Sequence, residues 1–241
     1  MKKYLSVFML IARCSIYKVF GLLILMAGCE FLAFSYKLSA GKGDLYVLED
    51  VFSGGFCDLI FFICAAVLLF LLSRMGASKS SKTIYTLSRL SVSKKCVFWI
   101  ESLYDTLCFI ILWLFQVVLA VGLCYYYIHA AGSESATEQT IFLAFFRNVF
   151  LHSLLPFDEP FSLICNLLLA SLIGITIAQI PWEERSNKLS FFTLYIICVG
   201  HNIFLREAGD LWQPAIICIA AVIVIANAIH FTFKKEAEDE N

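Results

Sequence analysis

Four ionisable side chains stand inside apolar stretches of this chain: Glu30, Glu101, Asp105 and His201. Placing such a group in hydrocarbon costs roughly 2.5–3.5 kcal/mol on insertion scales, so residues of this kind mark proton relays, ion paths or ligand contacts. Glu30 follows Gly28 and Cys29, and a lone carboxylate there must face a cavity or a partner helix. Glu101 and Asp105 are four apart, which puts them on one face of a helix. Lys94 and Lys95 lie close by and offer them an interfacial ion-pair cluster as an alternative to a mechanistic role. His201 reads as a bundle-facing polar residue.

Other constellations are weaker. The chain has 10 Cys and none forms a CxxC pair, so they read as small packing residues with no disulfide and no metal site. The four His are dispersed at His129, His152, His201 and His230, and no HExxH zinc helix is present. Glu183, Glu184 and Arg185 bring two carboxylates and a guanidinium together. Intramembrane proteases that use a Glu pair separate the Arg by three residues, whereas here it follows at once in a short loop. No GxSxG, Ser-Lys or paired Asp arrangement falls within the spans. Gly54-Gly55 is not followed by Gly-Lys-Ser/Thr, so the chain hydrolyses no nucleotide by itself. No catalytic residue and no cofactor is assigned to it.

The elements that must position these residues are membrane helices. Of 241 residues 61% are hydrophobic and 15% charged, with 23 Phe, against roughly 45–50% and about 25% in soluble domains. A net charge of −1 gives no general affinity for nucleic acid. A bilayer core about 30 Å thick needs roughly 20 apolar residues per helix. Six segments qualify, at about 19–36, 56–73, 97–128, 161–180, 189–205 and 214–233. The fold class is therefore an all-α integral membrane protein with six spans in a single domain.

Orientation follows from the basic residues, which accumulate in cytoplasmic loops. With the N-terminus inside, 14 of the 18 Lys and Arg fall on the cytoplasmic side, and only Lys37, Lys42, Arg147 and Arg206 lie outside, mixed with acidic residues. Both termini are predicted cytoplasmic, and the composition fits a bacterial inner membrane. Residues 4–17 read as a basic amphipathic elbow helix in the interface, since Arg13 and Lys18 interrupt what would otherwise resemble a signal peptide. Residues 138–155 tempt a seventh span, but Arg147, Asn148 and His152 make spanning costly. They are predicted to form an external helix, surface-lying or re-entrant, ended by Pro156.

The loop at 74–96 carries the most specific signal. After a small polar stretch, Thr83 to Leu90 is predicted to form a short helix with Ile84, Leu87 and Leu90 on one side. A short amphipathic helix between two spans presents apolar residues to the cytoplasm, as a docking element for a soluble partner does. Leu90-Ser91-Val92-Ser93-Lys94-Lys95 then leads straight into the third span.

That segment resembles one in the permease subunits of type-2 ABC transporters, where a leucine, a small residue or Pro, Val, Ser and two basic residues precede the third span. The family shares the six spans, the cytoplasmic termini and the elbow helix. It differs in placing its external helix between the fifth and sixth spans rather than the third and fourth. The resemblance implies that two permeases, identical or related, enclose a path through the membrane lipid. Each rests its loop helix on an ABC ATPase dimer, which holds the ATP and Mg. Thr83, Ile84, Tyr85, Leu87, Arg89 and Leu90 would make the coupling contact. The implied activity is export of an amphipathic or apolar cargo such as a peptide, lipid or antibiotic. A membrane-embedded accessory or immunity protein that binds peptide or lipid without ATP is the alternative. A secondary carrier would call for internal repeats and matched broken helices, which the chain does not display.

Overall fold

The computed structural model describes residues 2–40, 48–77, 93–131, 138–156, 160–184, 218–219, 221–226 and 229. Seven helices fall within the described residues: α1 (Lys2–Ala40), α2 (Leu48–Gly54), α3 (Cys57–Ala77), α4 (Lys94–Ala131), α5 (Glu138–Arg147), α6 (Val149–Leu154) and α7 (Pro160–Glu184). Residues 218–219, 221–226 and 229, from the expected sixth span, are also helical. The segment 189–205 and most of the loop 74–96, including Thr83 to Leu90, lie outside the described residues.

Three helices are long and apolar enough to cross a membrane, and a fourth span results if α2 and α3, bent by 43°, are taken together. The bend has a local cause. A Cβ on Gly55 would meet the Val51 carbonyl oxygen at 2.8 Å, and Phe56 adopts a φ of 52°. That left-handed conformation costs a residue with a side chain about 1–2 kcal/mol.

The expected boundary between an elbow helix at 4–17 and a span at 19–36 is corrected here. The two are one unbroken helix, α1, because no Pro or Gly separates them and the basic side chains of Arg13 and Lys18 project outward. Val7 and Ser15 of the supposed elbow are buried. The apolar part of α7, Pro160–Gln179, agrees with the fourth predicted span, but the helix itself continues through Pro181 and Trp182 to Glu184 and absorbs the residues read as a loop.

The helices alternate in direction. Ser15 meets Tyr104, Glu30 meets Gln116, and Phe31 meets Tyr126, so α1 and α4 run parallel. The turn that leads into α3 packs beside the end of α1, where Gly54 and Gly55 approach Lys37 and Phe34, so α1 and α3 are antiparallel. Gly174 of α7 sits on Thr106 of α4. One continuous apolar cluster joins α1, α3 and α4, with Met26, Phe34, Leu68 and Leu112 at its centre. A second joins Phe98 to Cys165, Leu169 and Leu172 of α7 and to Ala221 and Val224. Within a bilayer such contacts act through close packing, because lipid tails are as apolar as the side chains they would replace.

The segment 138–155 is two helices rather than one. Asn148 breaks it with extended backbone and caps α6, accepting from the Phe150 and Leu151 amides at 3.0 and 3.2 Å. Its amide nitrogen donates to the Glu49 carbonyl at 3.3 Å, and Arg147 reaches the Glu49 carboxylate at 3.9 Å. From there α6 descends into the bundle: the Trp113 indole donates to the Leu154 carbonyl at 3.1 Å, and Asn166 donates to the Ser153 carbonyl at 2.9 Å. Trp113 lies at the middle of α4, roughly 27 Å of helix from either end at 1.5 Å per residue. The end of α6 thus packs against the middle of α4, while Phe142, Leu143 and Phe146 of α5 are exposed.

Candidate functional site

The bundle buries one carboxyl at its centre. Glu30 of α1 and Gln116 of α4 are both fully buried, and Gln116 Nε2 donates to Glu30 Oε2 at 3.0 Å. The carboxylate expected to need a partner helix thus has one. Around the pair stand the small thiols of Cys57 and Cys64 on α3, close enough to interact with Glu30 electrostatically, and Cys124 on α4 lies near Cys57. Buried polar groups are normally satisfied to nine parts in ten or more. Here Glu30 Oε1 and Gln116 Oε1 each remain without a partner among the described residues. An unfilled pair of oxygens in an otherwise close-packed core can accept a donor from a ligand, a water or a proton.

A second polar region lies towards the start of α4. Asp105 is buried and Glu101 is half-buried beside it, so the two do share a face. Asp105 is too enclosed for the purely interfacial ion-pair cluster considered from sequence. One residue away, Tyr104 shares a 2.5 Å hydrogen bond with Ser15 of α1, and its ring takes the edge of Phe8. These contacts bind the N-terminal third of α1 to the N-terminal third of α4.

His201 and the coupling residues Thr83, Ile84, Tyr85, Leu87, Arg89 and Leu90 lie outside the described residues. Among those described, no three His, Cys, Asp or Glu side chains are grouped so as to hold a metal. Cys57, Cys64, Cys108, Cys124 and Cys165 are reduced thiols buried within the helix packing.

Gln116 was not among the candidates read from sequence. Its signal was available, as an amide within the run Leu112-Trp113-Leu114-Phe115-Gln116-Val117-Val118. A search restricted to ionisable groups passes over it, although a buried amide needs partners as much as a carboxylate does. Protein-family models, curated proteins and solved structures were compared with the chain and none matches.

Proposed function

We propose that this chain is the permease subunit of an ATP-driven exporter of the type-2 ABC class, carrying an amphipathic or apolar cargo. The observation that carries the reading is where the loop segment ends. Leu90-Ser91-Val92-Ser93-Lys94-Lys95 runs directly into α4, whose first residue is Lys94. In this reading a load applied to the loop by a soluble ATPase is passed to a span through its first turn, which begins at Lys94.

The packing supports the same mechanics. Helix α4 is tied to α1 at Ser15–Tyr104 and at Glu30–Gln116, and it shares an apolar core with α3. A push at Lys94 would then move α1, α3 and α4 together. In this reading the chain has six spans with both termini in the cytoplasm of a bacterial cell. A second permease completes the path, the partner ATPase dimer supplies ATP and Mg, and α2, α5 and α6 cap the outer end.

Co-expression of the chain with the genes that flank its own tests the proposal, through any soluble ATPase among their products. The ATPase is expected to co-purify with the unaltered chain and to be lost when Leu87→Asp and Leu90→Asp are introduced. Recovery of the chain alone, or with an ATPase indifferent to those changes, would favour an accessory or immunity protein that works without ATP.

A further inference from the structure

The Glu30–Gln116 pair has one donor contact and two idle oxygens. Gln116 Nε2 already serves Glu30 Oε2, while Glu30 Oε1 and Gln116 Oε1 are buried with nothing to accept from among the described residues. What the pair lacks is a donor. A buried acceptor left alone costs about 1–3 kcal/mol, and more when charged, and an ionised carboxylate in a low-dielectric core calls for a countercharge.

Among the described residues the neighbouring groups do not meet either need. From α3 come the thiols of Cys57 and Cys64, which are weak donors without charge; next to them stand Asp58, which is acidic and interacts with Cys57, and the thiol of Cys29, which interacts with Cys64. Cys124 of α4, another uncharged thiol, is near enough to Cys57 to interact with it. The nearest basic group along α1, Lys37, lays its side chain against Gly54 at the end of α2, two turns beyond Glu30.

We propose that Glu30 and Gln116 form a binding site for one positively charged hydrogen-bond donor, a proton or an alkylammonium group. A proton needs no space. Carried on Glu30 Oε1 and donated to Gln116 Oε1, it closes an acid–amide ring with two opposed hydrogen bonds and leaves both oxygens satisfied. An alkylammonium brings three donors on an apolar stem, and it enters if the α1–α4 contact parts. This inference does not rest on the permease reading, and each can fail without the other.

Infrared difference spectra of the full-length chain, unaltered minus Glu30→Gln, test it at neutral pH with and without decylammonium, using decanol as the uncharged control. A protonated-carboxyl band that decylammonium leaves alone identifies the proton as the ligand. A carboxylate band with saturable decylammonium binding, weakened about tenfold or more by Glu30→Gln, identifies the ammonium. A carboxyl band that converts to carboxylate on adding decylammonium identifies a site that takes either. A carboxylate band without decylammonium binding, or binding indifferent to Glu30→Gln, overturns the proposal. Gln116→Leu keeps the carboxyl and is the second variant. It is expected to shift the Glu30 band, and an unmoved band overturns the pairing.

Discussion

Replacing Gly174 by Ala probes the contact on which the α4–α7 pair depends. A Cβ at Gly174 would meet the Thr106 hydroxyl and would lie 2.6 Å from the Thr106 backbone nitrogen and 2.9 Å from its Cα. Ordinary carbon contacts fall at about 3.5–4.0 Å, so the helices must part by roughly 1 Å. The obstructing atoms are backbone, and the Thr106 hydroxyl is itself held by the Ser102 carbonyl at 2.8 Å, so no rotamer change relieves the clash. Overpacking of this kind costs about 1–3 kcal/mol, and the higher end is expected here. It exceeds the gain of about 1 kcal/mol that Gly→Ala brings within an exposed helix. Gly28→Ala and Gly122→Ala are the controls, since nothing lies within 4 Å of a Cβ at either position. Unfolding by sodium dodecyl sulfate in mixed micelles, followed by helical circular dichroism, measures all three. The variant Gly174→Ala should unfold at lower denaturant than the parent and the controls at the same or higher. A Gly174→Ala protein as stable as its controls would refute the α4–α7 crossing described above.

Other expectations follow from single contacts. Ser15→Ala and Tyr104→Phe should couple in a double-mutant cycle by about 0.6–1.7 kcal/mol, the range for hydrogen bonds between membrane helices. Additive effects would place the two residues apart. Asn148→Ala removes the α6 cap and its link to Glu49, so it should destabilise by about 1 kcal/mol and raise hydrogen exchange across α6 while leaving α7 unchanged. Trp113→Phe removes the donor to the Leu154 carbonyl and should loosen the same segment, read as faster exchange at Leu154 and Leu155.

Much of the helical layout was legible because apolar run length is a strong signal: the ranges 97–128 and 161–180 fall within α4 and α7, and all of 56–73 but Phe56 falls within α3. The boundary at residues 17–19 was not, since the change from basic to apolar composition marks a change of surroundings and leaves the backbone ladder of α1 intact. Asn148 shows the converse. Its neighbours are apolar enough to continue a helix, and only its side chain, competing for the Phe150 and Leu151 amides, breaks the segment. Glu30 could be singled out from one strand of text, but its partner could not, because Gln116 is 86 residues away and the pairing is a fact of helix packing. Gly174 is similar: an isolated Gly in sequence becomes a close crossing only when Thr106 is laid against it.

The most direct measurement of the coupling claim is site-specific photocross-linking in native membranes, with benzoylphenylalanine at position 87 and, as a control, at position 146 on the exposed face of α5. The account predicts an adduct from position 87 alone, with a protein that mass spectrometry shows to carry nucleotide-binding motifs. Loss of that adduct in the Leu90→Asp background is also predicted. An equal yield from both positions, or position 87 adducts confined to lipid or integral membrane proteins, would contradict it.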